Sequence, residues 1–121
     1  PDELIRASII RARLCELLGG NGSSRLDGSE LFTLGLFSLI DAILDEDMGN
    51  LMGKLPLSER IKNALVERTG DLADYVNLAA SYETADWSGV TKMASKIRIG
   101  EEELSKSYVD AVGWADSLPV S

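Results

Sequence analysis

The chain has 121 residues, 45% hydrophobic and 26% charged, an ordinary globular balance that lets a core close without metal or disulfide support. Twenty acidic residues against twelve basic ones give a net charge of −8, which repels phosphate backbones and argues against nucleic acid as a direct partner. With no histidine and one cysteine, Cys15, the chain cannot supply an imidazole metal site, a histidine-activated nucleophile or an internal disulfide.

The longest apolar run is bracketed by Glu30, Asp41 and Asp45, so membrane insertion is not expected. Pro1-Asp2-Glu3-Leu4 lacks the basic start of a signal peptide, and a lone cysteine suits a reducing cytoplasm, the expected location. Opening on proline rather than methionine, the chain reads as a fragment whose missing part is N-terminal.

Apolar periodicity predicts helices almost throughout and no strand, an all-α bundle of about six to seven helices. The first should span residues 2 to 18, opened by Pro1 and the dipole-favoured Asp2 and Glu3 and stopped by Gly19-Gly20. Leu4, Ile5, Ile9, Ile10, Leu14, Leu17 and Leu18 lie on more than one of its faces, so an exposed apolar surface and self-association through this helix are expected. Asn21-Gly22-Ser23-Ser24 reads as a surface loop.

A second helix should run from residue 28 or 29 to 45, capped by Asp27 or Ser29. Its apolar residues cover most of its circumference, which predicts the central helix of the bundle with Leu34, Leu36, Phe37, Ile40 and Ile43 buried. A short helix near residues 48 to 53 follows, ended by Leu55-Pro56, and Ser58 caps another through about Arg68. Three amphipathic helices complete the chain, with stripes Leu72, Tyr75, Val76, Ala79, Tyr82, then Val90, Met93, Ala94, Ile97, then Leu104, Tyr108, Ala111, Val112, Ala115. Short connections between them predict antiparallel neighbours.

Residues 30 to 41, Glu-Leu-Phe-Thr-Leu-Gly-Leu-Phe-Ser-Leu-Ile-Asp, resemble the Phe-Leu-x-Gly-Leu-Leu-His-Asp-Ile-Gly helix of HD-type phosphohydrolases. In that register Ser38 stands at the histidine and Leu39 at the aspartate, so both metal-binding positions are degenerate. The segment from Ile5-Arg6-Ala7 through Arg11-Ala12-Arg13-Leu14-Cys15-Glu16-Leu17-Leu18 is similar to the helix that precedes this element in HDOD domains, and the segment from Met48 to Leu65, with Leu55-Pro56, Ile61 and Ala64-Leu65, to the run that follows it. Tyr82-Glu83, Asp86-Trp87 and the stretch from Gly100 to Ala115 look like the tail of the modified HD domain in EAL–HDOD cyclic di-GMP signalling proteins.

The resemblance implies that residues 1–121 are one HD-like helical domain, the C-terminal part of an HDOD domain, whose native N-terminal EAL domain is missing. It further implies a non-catalytic module that relays or modulates cyclic di-GMP signalling, with a protein partner or the attached EAL domain as its contact and with no catalytic residue, no metal and no cofactor.

Two rival functions are carried beside it. One is a residual HD-type phosphohydrolase using only Asp and Glu ligands, for which Asp41 and Asp45, four apart on one helical face before Glu46 and Asp47, are the candidates. A solvated acidic helix end outweighs that reading. The other is a helical-repeat adaptor built from the hairpins within residues 71 to 118.

Three further features read as structural. Lys92, Lys96 and Arg98 complement a helix C-terminus, Cys15 is a buried thiol, and Gly35 marks a close helix crossing. Trp87 and Trp114 are expected in or half in the core, with interface anchoring as the alternative.

Overall fold

A computed structural model describes residues 2–21 and 26–119. They form eight helices: α1 (Asp2–Asn21), α2 (Gly28–Phe37), α3 (Ile40–Leu44), α4 (Met48–Met52), α5 (Glu59–Glu67), α6 (Asp71–Glu83), α7 (Trp87–Ile97) and α8 (Glu101–Ser117). The all-α class is as predicted, and no strand occurs among the described residues. The expected surface loop at Gly22 to Ser24 and the helix-opening Pro1 lie outside them.

The central element is α1, not the helix after it. Ile10, Ala12, Leu14, Cys15 and Leu18 are buried together with Ser8 and Arg11, and α1 packs on α2, α6 and α8. Gly19-Gly20 does not stop this helix, which continues to Asn21. Gly19 is buried where a Cβ would collide with the Leu31 side chain, so its smallness serves packing against α2. The apolar face expected to stay open is largely covered, because α8 lies along α1 with Arg6 on Asp116 and Arg13 over Trp114. Ile10 is 5% exposed and Ile9 half-buried, which leaves Ile5, 37% exposed, near the start of the helix.

The predicted helix of residues 28 to 45 is broken into α2 and α3 at Ser38-Leu39, which divides one expected element into two. Asp27 caps α2 as expected, accepting from the Ser29 amide at 3.0 Å. The break has a local and a tertiary cause. Ser38 Oγ donates back to the Gly35 carbonyl at 2.7 Å, a side-chain bond that competes with the helical ladder. The Ser38 carbonyl, which a continuous helix would offer to the Ala42 amide, instead accepts from Arg68 Nη2 at 2.8 Å. The Ala42 amide turns to Asp41 Oδ1 at 2.9 Å. Of the five residues expected to be buried only Leu34 is fully so; Leu36, Phe37, Ile40 and Ile43 are half-buried, and α3 buries no residue completely.

The remaining elements follow their caps. Asp47, Ser58 and Asp86 accept from the amides of Asn50, Ile61 and Gly89, which starts α4, α5 and α7. α6 is buried nearly all round through Leu72, Ala73, Tyr75, Val76, Leu78 and Ala79, and forms an antiparallel hairpin with α7. α8 then departs from the expected hairpin with α7 and packs mainly along α1, so residues 71 to 117 do not continue as a repeat stack.

The α1/α2 crossing rests on Gly35, where a Cβ would sit 2.6 Å from the Arg11 carbonyl oxygen and 2.8 Å from Ala12 Cα. Those are backbone atoms and cannot rotate aside. Gly35→Ala should therefore lower stability by about 1–3 kcal/mol in denaturant melts, even though alanine gains about 1 kcal/mol in helix propensity. A stability equal to or above the parent's would show that the two helices can separate without cost. Ala85 provides the opposite case, since it holds φ 57° between α6 and α7. Ala85→Gly should gain about 0.5–1 kcal/mol in the same melts.

Candidate functional site

Ser38 sits at the C-terminal end of α2 and is 1% exposed. Its hydroxyl accepts from Arg11 Nη1 at 3.2 Å. Arg11 comes from the middle of α1, is 7% exposed, and reaches the end of α6 as well, where Nε meets Glu83 Oε2 at 2.7 Å and Nη2 meets Oε1 at 2.8 Å. The pair is bidentate, the strongest geometry available to a guanidinium and a carboxylate. One cation thus joins α1, α2 and α6 at Ser38.

A second guanidinium approaches from the other side. Arg68 occupies the left-handed residue that ends α5, φ 57°, and donates from Nε to the Leu65 carbonyl at 2.9 Å and from Nη2 to the Ser38 carbonyl. Its own carbonyl accepts from Asn77 Nδ2 at 3.1 Å. Burial lowers the Arg68 pKa from its ordinary value, the neighbouring Arg11 charge lowers it further, and Asp41 opposes both.

The other predicted positions are not drawn into the site. Leu39 is half-buried at the break before α3, and Asp45 takes the left-handed conformation, φ 52°, that ends α3. Glu46 pairs with Lys54 at 2.8 Å and Asp47 caps α4, so the four carboxylates after α2 are dispersed over separate tasks. Among the described residues no three Asp, Glu or Cys side chains converge on a point that could hold a metal ion. Of the basic cluster, Lys96 is pinned by the buried Asp74 at 3.2 Å.

Cys15 lies one turn along α1 from Arg11 and is wholly buried. Burial pushes its thiol up to about 12; Arg11 works against that shift and Glu83 adds to it. The residue is a packed, protonated thiol. Trp114 is half-buried as expected, edge-on to Phe32 at 5.9 Å and under Arg13 at 5.4 Å. Trp87 departs from expectation: it is 59% exposed, because it opens α7 at the rim of the α6–α7 turn, where Tyr82 is the one aromatic ring that meets it among the described residues.

Arg11, Glu83 and Arg68 were not picked out by spacing. The signal for Arg11 is its place on α1, four residues before Cys15 and so on the same face as a buried thiol. Nothing local marks Glu83 or Arg68, whose partners lie 72 and 30 residues away.

Comparison with known proteins extends over nearly the whole chain. It is 31% identical over 118 residues, 98% of its length, to "Cyclic di-GMP phosphodiesterase CdgJ" of Vibrio cholerae serotype O1. It is 30% identical over 116 residues, 96% of its length, to "Uncharacterized protein YuxH" of Bacillus subtilis. The chain spans just over a quarter of the length of these curated relatives, 27% and 28%. No family model matches it, and no solved structure does. The chain is thus similar to one portion of a protein named for cyclic di-GMP hydrolysis.

Two outcomes test the site. Glu83→Ala leaves the Arg11 charge buried with, among the described residues, Ser38 as its remaining hydrogen-bond partner, and should cost about 2–4 kcal/mol, somewhat below a fully buried pair because water reaches part of the Glu83 side chain. Charge-neutral Arg11→Met/Glu83→Met should recover much of that loss; a double variant weaker than the sum of the single ones would refute the pairing.

For Cys15 the folded thiol keeps its proton to about 12, while an unfolded one loses it from its ordinary 9.0. Its contribution to stability is therefore complete below pH 9 and falls as pH rises from 9 toward 12. Cys15→Ala should remove that part of the alkaline decline. Thiol reagents at pH 8 should label Cys15 promptly only after denaturation, and rapid stoichiometric labelling of the native protein would contradict its burial.

Proposed function

We infer that the chain is a non-catalytic signalling module of the HDOD type, part of a longer cyclic di-GMP signalling protein in which it is fused to an EAL domain and acts through protein contacts in the cytoplasm. The observation that carries this reading is the pair of guanidinium groups held on Ser38, Arg11 on the hydroxyl and Arg68 on the carbonyl. A divalent cation brought to that position would meet two guanidinium groups, one of them already neutralised by Glu83, and no cluster of carboxylates among the described residues. The polar groups around Ser38 are committed to one another and serve to lock helices together rather than to hold a metal.

The similarity to a portion of a cyclic di-GMP phosphodiesterase supports the parentage, and the chain's share of that relative is in keeping with a module joined to others. Among the described residues no helix is long and apolar enough to cross a membrane.

Elemental analysis of the purified chain should find no stoichiometric transition metal, and incubation with cyclic di-GMP should yield no hydrolysis. Turnover abolished by Asp41→Ala would instead favour a residual phosphohydrolase with carboxylate ligands. Sequencing the native gene upstream of Pro1 tests the parentage independently, with an EAL motif as the expected finding.

A further inference from the structure

Trp87 is an expensive side chain to leave in water, yet it stands 59% exposed at the start of α7. Its ring meets Tyr82 edge-on, centroids 5.7 Å apart and planes at 84°, and Tyr82 leans on Tyr108 at 4.8 Å. The two perpendicular rings wall a groove of about 280 Å³ between the α6–α7 hairpin and α8, which is lined also by Val90, Leu104, Glu101 and Ser105. Val90 and Leu104 are buried and form its apolar base. Glu101, in the first turn of α8, is exposed, and among the described residues it makes no ion pair and no basic side chain lines the groove.

Aromatic faces beside an unpaired carboxylate are the chemistry that captures an organic cation. The chain already uses that contact internally, with Arg13 over Trp114, while among the described residues no cation covers Trp87. We propose that the Tyr82–Trp87–Glu101 groove is a docking site for an arginine or lysine side chain carried on a basic segment of a partner protein. The cation lies against the two rings and Glu101 supplies the counter-charge, with the apolar base receiving the methylene stem. Charge complementarity selects this occupant: a net charge of −8 disfavours both a second copy of the chain and a nucleic acid. The inference deepens the reading of the chain as a protein-contact module by naming one contact surface and the chemistry it takes.

The test is a titration of the 121-residue chain with an acetylated, amidated (Gly-Arg)4 peptide, followed by amide and indole NMR shifts at physiological salt, with (Gly-Gln)4 and (Gly-Glu)4 as controls. The arginine peptide should move the Trp87 indole and the amides of Thr91, Leu104 and Ser105, and the controls should not. Trp87→Ala should weaken binding about three- to tenfold and Glu101→Gln about two- to fivefold. If Trp87→Ala loses its helical circular dichroism, Glu101→Gln, at an exposed side chain, decides alone.

Unchanged affinity in a folded variant, equal binding of the glutamine peptide, or shifts confined to another surface would each overturn the groove. Concentration-dependent shifts of the same resonances without peptide would assign it to a second copy and overturn it equally. Shifts at another surface leave the protein-contact reading standing, whereas metal-dependent hydrolysis of cyclic di-GMP would remove that reading and leave the groove to its own titration.

Discussion

The Arg11 guanidinium ties the structure together: it sits in the core at the junction of α1, α2 and α6, satisfied by Glu83 on one side and Ser38 on the other. Taking such a pair out of water costs several kcal/mol per ion, and the bidentate geometry returns about that much, so its net effect on stability is small. Its effect on geometry is large. A guanidinium with three directed hydrogen bonds admits only one relative placement of the three helices, whereas the surrounding leucines would tolerate several. The close approach of α1 and α2 at Gly35 serves the same end, since it brings Ser38 within reach of Arg11.

From that junction the break between α2 and α3 becomes intelligible. Arg68 takes the carbonyl that would have carried the helix forward, Ser38 takes the carbonyl one turn back, and the chain leaves the helical path at Leu39. The same two arginines that organise the fold meet at Ser38, Arg11 on its hydroxyl and Arg68 on its carbonyl. One set of atoms, on Arg11, Ser38, Arg68 and Glu83, therefore holds α1, α2, α5 and α6 in register.

The two tryptophans mark two different surfaces. Trp114 is enclosed by Phe32 and Arg13 and helps fasten α8 to α1 and α2, closing the face of α1 that its own sequence leaves apolar. Trp87 meets the Tyr82 ring edge-on and faces solvent across the groove beside α8. The departure of α8 from α7 toward α1 produces both results, because it covers the first helix and leaves the α6–α7 hairpin with an aromatic edge open.

Helix type, most caps and the inward stripes of α5 to α8 are legible in the sequence because they depend on neighbours three or four residues away: Asp27, Ser58, Leu72, Val76, Ala94 and Leu104 behave as their spacing dictates. The absence of histidine is legible too, since it is a matter of residue identity. Tertiary structure alone decided that α1 rather than α2 is central, that Gly19-Gly20 continues a helix, that residues 28 to 45 break in the middle, and that Trp87 stays outside. Each depends on a partner far along the chain: Leu31 for Gly19, Arg68 for Ser38, and α8 for the face of α1. Local periodicity records how apolar a face is and carries no information about which distant element will cover it. The charge that reaches Ser38 arrives from residues 27 positions before it and 30 positions after it, a pairing fixed only when the helices pack.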